Sequence, residues 1–268
     1  MLKDFTFGQY IPGNSYVHRL DPRMKINLTI LYIVMVFCVK SPVWYVFPLG
    51  YIILAALLSG MKARTLLKPI KPLRFLLILT FLLNLLFSGG ETVYFNIGTV
   101  KITQEGLLVA IHFSMRLIFL VCGTSVLTLT TSPVTLSDGL EQLLSPLKRL
   151  HFPVHELAMM MTIALRFIPT LMEESEKIMK AQMARGADFE SGNLIARAKA
   201  MVPLLVPLFV SAFRRAGDLA MAMEARCYHG GEGRTRLRTM RCTKEDWIAL
   251  GVTAVFLALT IMLGKWLV

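Results

Sequence analysis

Five apolar segments dominate this sequence, and they limit its fold more than any other feature. They cover residues 26–39, 42–60, 75–88, 106–130 and 247–268. Hydrophobic residues make up 55% of the chain and charged residues only 17%, whereas soluble domains are roughly 45–50% apolar and about 25% charged. So little charge cannot cover a water-facing surface. The sequence therefore indicates an integral membrane protein and argues against a soluble enzyme.

The charge balance points in the same direction. The formal net charge is +12, and a chain that is both apolar and basic usually keeps its positive charge on the cytoplasmic side of a membrane. Nucleic-acid binding would explain the charge but not the hydrophobicity, so no nucleic-acid partner is expected. Four cysteines without a CxxC pair argue against a disulfide framework. Residues 1–16 lack the apolar core of a signal peptide.

Two of the apolar segments are short for a membrane span. Residues 26–39 and 75–88 would each form a helix of roughly 21 Å, whereas the bilayer core is about 30 Å thick. They can therefore cross only by recruiting flanking residues. Residues 91–103 mix β-branched and aromatic residues with an Asn-Ile-Gly turn, which predicts a small hairpin or interfacial loop. The predicted fold is all-α, a polytopic membrane protein with about five membrane helices.

The distribution of basic residues predicts the orientation. Five of them lie in the segment 62–74, and a cytoplasmic N-terminus places this segment and residues 131–246 inside the cell. With five crossings the C-terminus is then external. The chain divides into an N-terminal membrane region (1–130), a cytoplasmic region (131–246) and a C-terminal membrane helix (247–268). No stretch of residues 131–246 resembles an ordinary membrane span.

Two long helical patterns fill the cytoplasmic region, over residues 155–185 and 194–226. Pro169 is expected to kink the first helix. Two prolines, Pro203 and Pro207, are expected to interrupt the second, because proline removes a backbone donor and clashes with the preceding turn.

The two helical patterns end alike. The first ends Ala184-Arg185-Gly186, and 41 positions later the second ends Ala225-Arg226-Cys227. Gly186 suits the left-handed residue that follows many helices, and an arginine in the last turn meets the negative end of the helix dipole. Each arginine either caps its own helix or projects from the tip toward a partner with two similar receiving sites. The spacing alone leaves both interpretations open.

Polar residues inside an apolar segment form a second candidate site. Arg116 lies in the middle of residues 106–130, and His112 lies one turn before it on the same face. A charge at that depth costs roughly 2.5–3.5 kcal/mol, so it needs a buried partner or a polar cavity. The pair serves either translocation chemistry or a structural tie between helices.

Other candidates for chemistry are weak. His151 and His155 are separated by Pro153, which disfavours a shared zinc site, and the glycine-rich segment 230–235 lacks the lysine of a phosphate-binding loop. No catalytic residue, metal site or cofactor is predicted. Methionines are concentrated on the first long helix, where flexible side chains suit either core packing or a surface that accepts several partners. They are Met159, Met160, Met161, Met172, Met179 and Met183.

Six spaced segments resemble the transmembrane T component of energy-coupling-factor (ECF) transporters, the EcfT family. They are HRLDPRMK (18–25), TTSP (130–133), PLKR (146–149), ALRFIP (164–169), ARGAD (184–188) and EAR (224–226). The resemblance runs from about residue 5 to the C-terminus, and the block with the two arginines is its most specific part.

The resemblance implies a non-catalytic scaffold in a prokaryotic cell membrane, which joins a substrate-binding S component to two ATP-binding-cassette (ABC) ATPases. Its two Ala-Arg-Gly-like motifs end coupling helices that dock on the ATPases, and they correspond to Arg185 and Arg226 here. Cys227 departs from the glycine that is usual in the second motif. The methionine-rich helix favours a shared, vitamin-importing type. A dedicated cobalt or nickel permease and a polytopic membrane enzyme are the alternatives.

Overall fold

Helices make up nearly all of the computed structural model, which describes residues 10–89, 93–97, 100–150, 152–189, 193–230, 240 and 242–266. The helices are Tyr16–Arg19 (α1), Pro22–Cys38 (α2), Val46–Ser59 (α3), Ala63–Leu66 (α4), Ile70–Phe87 (α5), Gln104–Thr130 (α6), Pro133–Leu143 (α7), Val154–Ala184 (α8), Leu194–Glu224 (α9) and Lys244–Trp266 (α10). Two 3₁₀ turns cover Pro42–Tyr45 and Ser145–Leu150. The predicted all-α class is confirmed.

The predicted hairpin between the third and fourth apolar segments is present. Strands Val93–Ile97 (β1) and Val100–Thr103 (β2) pair antiparallel, with Ile97 opposite Val100. Residues 91, 92, 98 and 99 of the predicted hairpin lie outside the described residues. The hairpin joins α5 to α6, and it is the only β-sheet among the described residues.

Six helices in the described part of the chain are long and apolar enough to cross a membrane, by length and composition. They are Pro42–Ser59, Ile70–Phe87, Gln104–Thr130, Val154–Ala184, Arg197–Glu224 and Lys244–Gly264. Four of these helices coincide with predicted segments. Helix α5 begins at Ile70, before the predicted segment 75–88, because the short segment recruits flanking residues to reach the length of a membrane span. The predicted segment 26–39 lies in α2 up to Cys38, with Val39 as the C-cap, and α2 has 17 residues and a length of about 26 Å.

The other two candidate spans, in α8 and α9, correct the expectation that residues 131–246 hold no span-like stretch. Both helices carry most of their charges outside one long apolar stretch. The expectation that Pro203 and Pro207 interrupt the second helix is also wrong, because α9 runs through both without a break. Pro169 likewise lies inside the continuous helix α8.

The chain forms two compact units. The larger unit comprises Gly8–Gly139 and Thr239–Val268, and the smaller unit comprises Met1–Phe7 and Leu140–Arg238. In the larger unit α6 packs against α2, α3 and α5, while α10 packs against α2 and α3. In the smaller unit α8 packs against α9.

Buried tyrosines hold the centre of the larger unit. Tyr32 stacks on Tyr51 with ring centroids 5.3 Å apart, and its hydroxyl donates to the Phe119 carbonyl at 2.9 Å. Tyr45 stacks on Phe119 at 5.1 Å. Gly123 permits this packing, because a Cβ on it would lie only 2.0 Å from the Tyr32 ring. Each buried ring is therefore fixed by both its apolar face and its hydroxyl.

A carboxylate joins the N-terminal ends of α2 and α10. Asp246, which is fully buried, accepts hydrogen bonds from the Asp21 amide at 2.8 Å and from the Thr243 amide at 2.7 Å. The second bond reaches back to the residue before the helix, as in a capping box. Asp21 caps α2 and pairs with Arg23 at 2.9 Å, and Arg23 also donates to the Met240 carbonyl.

The same cluster sets the titration of Asp21. Burial raises the pKa of the Asp21 carboxyl, but hydrogen bonds from Arg23 and the charges of Arg23 and Lys25 outweigh it and leave the pKa below its usual value. A carboxyl with a depressed pKa stabilises the fold above its unfolded pKa, and this stabilisation is lost as the pH falls through the folded value. The tie therefore weakens in acid and not at neutral pH.

Replacing Asp246 by alanine is expected to destabilise the larger unit. The Asp21 and Thr243 amides lose their acceptor, which costs about 2–4 kcal/mol and lowers the Tm by roughly 4 °C or more. Thermal unfolding of the purified protein in detergent measures the effect. Glu245→Ala is the matched control, because it removes an exposed carboxyl from the same helical turn. Equal Tm values for the two variants would contradict the account.

Candidate functional site

The segment Ala184-Arg185-Gly186, called the first arginine tip, forms a defined backbone turn at the end of α8. The segment Ala225-Arg226-Cys227 at the end of α9 is called the second tip. Gly186 adopts φ 89°, and its amide donates to the Met183 carbonyl while the Ala187 amide donates to the Gln182 carbonyl, both at 3.0 Å. This is the Schellman pattern, which satisfies two of the last carbonyls of a helix. The predicted left-handed conformation of Gly186 is confirmed. Arg185 occupies the C-cap position and is exposed.

The second tip repeats the first with an offset of 41 residues. The Cys227 amide donates to the Glu224 carbonyl at 2.8 Å, and the Tyr228 amide donates to the Met223 carbonyl at 3.0 Å. Cys227 adopts φ 54° and is the one non-glycine residue with positive φ among the described residues. The turn that glycine favours is therefore built here with a side chain, at a cost of about 1–2 kcal/mol. Arg226 is exposed, as Arg185 is.

Both arginines are available to a partner. Within the described residues, neither the Arg185 nor the Arg226 guanidinium makes a hydrogen bond or an ion pair with another side chain. The neighbouring Ala184 and Ala225 are also exposed, so little bulk surrounds either cation. An arginine in such a position can form the planar, two-pronged contact with a carboxylate that lysine cannot form.

A polar contact between α8 and α9 lies at equal distance from the two tips. Glu174 of α8 accepts hydrogen bonds from the Ser211 hydroxyl at 2.5 Å and from the Arg215 guanidinium at 3.0 Å. Arg185 follows Glu174 by 11 positions, and Arg226 follows Arg215 by 11 positions. Each tip is therefore about 17 Å along its own helix from this contact.

The structure brings His112 and Arg116 together in the larger unit. Arg116 donates to the His112 Nε2 at 2.9 Å and approaches the Val39 carbonyl at 3.4 Å, which lies just after α2. Its guanidinium carbon is 5.3 Å from the centre of the Phe37 ring and 5.4 Å from that of Phe113. Such cation–π contacts stabilise a desolvated cation. The contacts favour a structural tie between α6 and the end of α2.

Other candidate groups are dispersed. No three His, Cys, Asp or Glu side chains gather into a metal-binding group among the residues that the structure describes. His155 contacts Glu141 at 3.1 Å. His151 and residues 231–235 of the glycine-rich segment lie outside the described residues.

Two polar contacts escape sequence reasoning. The Glu174–Arg215 pair joins residues 41 positions apart, and in the sequence they are only charged residues on two amphipathic helices. One of the Asp246 contacts could have been predicted from the sequence. Thr243 stands three residues before Asp246 at the start of an apolar segment, which is the spacing of a capping box. The second contact of Asp246, with Asp21, has no local signal.

Comparison of the sequence with known proteins identifies a matching protein family and several similar relatives. The family described as CbiQ, cobalt transport protein, matches residues 13–237. The chain is 56% identical over 257 residues to the energy-coupling factor transporter transmembrane protein EcfT of Thermosediminibacter oceani, covering 95% of this chain and 97% of the relative. It is 51% identical to EcfT of Clostridium kluyveri, with 99% of each chain covered. It is 48% identical to EcfT of Bacillus subtilis, covering 98% of this chain and 99% of that one.

Replacing Cys227 by glycine is expected to stabilise the second tip by about 0.5–1 kcal/mol, because glycine removes the left-handed strain but adds unfolded-state entropy. The reciprocal variant Gly186→Cys introduces the same strain at the first tip and is expected to lower the free energy of unfolding by about 1 kcal/mol. Thermal unfolding of both variants measures the two changes. Shifts of the same sign would show that the two turns are not equivalent.

Proposed function

The chain belongs to the CbiQ/EcfT family, the transmembrane components of ECF transporters, and from this premise we propose that it couples two ABC-type ATPases to a substrate-binding S component. Arg185 and Arg226 are the residues that dock on the ATPases. The observation that supports this proposal most strongly is the identical turn at the two tips, with each arginine exposed and without a described side-chain partner.

Two identical tips suit two identical or similar receiving sites. The backbone turns repeat the same hydrogen bonds at the end of each long helix, with Arg185 at the C-cap of α8 and Arg226 directly after the C-cap residue of α9, so a partner meets the same backbone geometry twice. The helix C-terminus carries a partial negative charge, which holds the guanidinium close to the tip while leaving its donors free. A buried carboxylate on each ATPase is the partner that matches this chemistry.

The mechanism requires that movement of the ATPases reaches both helices together. ATP binding brings the two ATPases together, and the helix that is docked on each ATPase moves with that ATPase. Helices α8 and α9 are joined at Glu174, which accepts hydrogen bonds from Ser211 and Arg215. This contact lies at the same distance along the helix from each tip. Displacement of the tips is thereby converted into movement of the pair of helices, which carries it toward the S component.

The surface of α9 supports a protein or lipid partner along much of its length. Apolar side chains recur there at helical spacing and are exposed, and such patches mark interaction sites. They are Met201, Val202, Leu205, Val206, Phe209, Val210 and Phe213. Exposed methionines on α8, among them Met160, Met161 and Met183, add flexible contact area that suits interchangeable S components.

Vitamin uptake is the proposed role, and its support is the methionine-rich surface of α8, which suits a T component shared by several S components. The relatives at about 50% identity over nearly the full length are named EcfT, and their names specify no substrate. The family description, cobalt transport protein, favours the alternative of a dedicated metal permease. The S component selects the substrate in either case, so identifying the S component that co-purifies with this chain decides between them. We propose a non-catalytic subunit, with ATP hydrolysis in the partner ATPases.

The proposed orientation places the N-terminus in the cytoplasm of a prokaryotic cell and the C-terminus outside. Its support is the basic segment 62–74, which runs from the end of α3 into the first turns of α5 and has five exposed Lys and Arg side chains. They are Lys62, Arg64, Lys68, Lys71 and Arg74.

Truncating Arg185 or Arg226 to alanine is expected to weaken ATPase docking by about 2–5 kcal/mol, because the partner carboxylate loses its counter-charge. At the lower bound this is roughly a 30-fold loss of affinity. Co-purification with tagged ATPases and uptake of labelled substrate measure the effect. Arg214→Ala is the matched control, since Arg214 is exposed on α9 away from the tip. A double variant of Arg185 and Arg226 that still co-purifies and transports would refute the proposal.

Replacing Glu174 by alanine is expected to reduce substrate uptake per ATP hydrolysed about fivefold, while both ATPases stay bound. A partly exposed ion pair contributes about 1 kcal/mol, which corresponds to about a fivefold shift in an equilibrium between arrangements of α8 and α9. Uptake and ATP hydrolysis are measured together in proteoliposomes. Glu173→Ala removes a neighbouring exposed carboxylate and should leave the ratio unchanged. An unchanged ratio in Glu174→Ala would exclude a coupling role for this contact.

A further inference from the structure

The larger unit contains an apolar cavity of about 370 Å³ between α1, α2, α3, α6 and α10. Its lining spans eight residues on α2 (25 to 32), on α3 (51 to 58) and on α6 (123 to 130), a rise of about 10 Å along each helix. The volume lies near the lower end of the range for ligand pockets, roughly 300–1,000 Å³.

The floor of the cavity is closed. Tyr32 and Tyr51 stack there, the Thr253 hydroxyl lies 3.3 Å from the Tyr51 hydroxyl, and Gly123 lies directly against Tyr32. The packing between α3 and α10 continues below this level, where Gly50 meets Phe256. The cavity therefore ends on aromatic rings, at Tyr32 of α2 and Tyr51 of α3.

The upper part of the cavity is lined by side chains of α3 and α10 that also reach the surface. Leu58 and Ile248 both line the cavity, and their side chains are 43% and 60% exposed. Leu57 and Trp247, next to them, are exposed at 74% and 63%. An apolar opening in the flank of a membrane protein faces acyl chains and not water.

Charges of both signs lie around the opening, with the exposed Glu245 at the start of α10 and basic residues on the other elements. The Lys25 ammonium is buried in the lining, where it donates to the His18 and Thr130 carbonyls at 3.0 and 3.1 Å. Asp21 and Asp246 lie near it and offset its charge. Beyond Leu58, the exposed Lys62 and Arg64 follow on the chain, and residues 22–90 contain no Asp or Glu. Neither Lys62 nor Arg64 has an ion-pair partner among the described residues.

We propose that this cavity binds one acyl chain of an anionic phospholipid, whose headgroup lies on Lys62 and Arg64. The proposal rests on the orientation proposed above, which places the opening in the cytoplasmic leaflet. The apolar lining accepts the tail, the exposed leucines admit it from the bilayer, and the unpaired cations select a negative headgroup over a zwitterionic one. A lipid held there fills the gap between α3 and α10 and fixes their separation.

Lipid retention by the purified full-length chain tests the proposal. The protein is reconstituted in nanodiscs of phosphatidylcholine and phosphatidylglycerol, then stripped with mild detergent, and the retained lipid is counted by native mass spectrometry. We expect one phosphatidylglycerol per chain, preferred over phosphatidylcholine by at least about tenfold. Equal retention of the two lipids would overturn the headgroup assignment.

Two variants separate the tail from the headgroup. Ala55→Trp fills the cavity and is expected to abolish retention, whereas Ile53→Trp, on the exposed side of the same helix and outside the lining, should keep it. The double charge reversal Lys62→Glu with Arg64→Glu is expected to remove the preference for phosphatidylglycerol, whereas Lys40→Glu should not.

Retention that survives Ala55→Trp would overturn the proposal, and so would a preference that survives the charge reversals. If Ala55→Trp keeps its lipid but loses co-purification with a partner subunit, the cavity receives a protein side chain and the proposal is wrong. None of these outcomes involves the ATPases, so a failure here leaves the docking role of the two arginines untouched.

Discussion

The two arginine tips depend on one backbone constraint, the left-handed residue that follows each arginine. A helix leaves its last carbonyls without partners, and the turn at Gly186 or Cys227 returns two amides to them. The return reverses the chain directly after the arginine, so that the side chain stays at the end of the helix without a following helical turn to cover it. Glycine meets this constraint without strain. Cysteine meets it with strain, and the identical hydrogen-bond pattern at both tips shows that the surrounding turn enforces the conformation at position 227.

A different physical constraint holds the larger unit together. Helices in a bilayer gain little from the hydrophobic effect when they associate, so close packing and satisfied polar groups must hold them together. Tyr32, Gly123 and Phe119 illustrate the close packing, and Asp246 illustrates the polar tie at the helix ends. The pair of His112 and Arg116 fits the same logic, since its cation is placed between two aromatic rings and a histidine nitrogen. These contacts give the larger unit a fixed shape.

Sequence reasoning reached the features that local chemistry determines. The apolar segments located the helices of the larger unit, and Ala184-Arg185-Gly186 predicted its turn because glycine signals left-handed backbone. Cys227 carried no such signal, and only the spacing of 41 residues suggested that its turn would match. The unbroken α9 was missed because Pro203 and Pro207 remove single hydrogen bonds that a long helix can spare. The Glu174–Arg215 pair and the Asp21–Asp246 tie were missed since they depend on how helices pack, which no local pattern records.

The most direct measurement of the central claim is site-specific photo-crosslinking in the assembled transporter. A photoreactive residue at Ala184 or at Ala225 leaves the neighbouring arginine in place and lies on the exposed tip. The account predicts that each position crosslinks to an ATPase subunit, with similar yield at the two tips because their geometry is the same. Crosslinks to lipid, to the S component alone, or to an ATPase from only one of the two positions would contradict it.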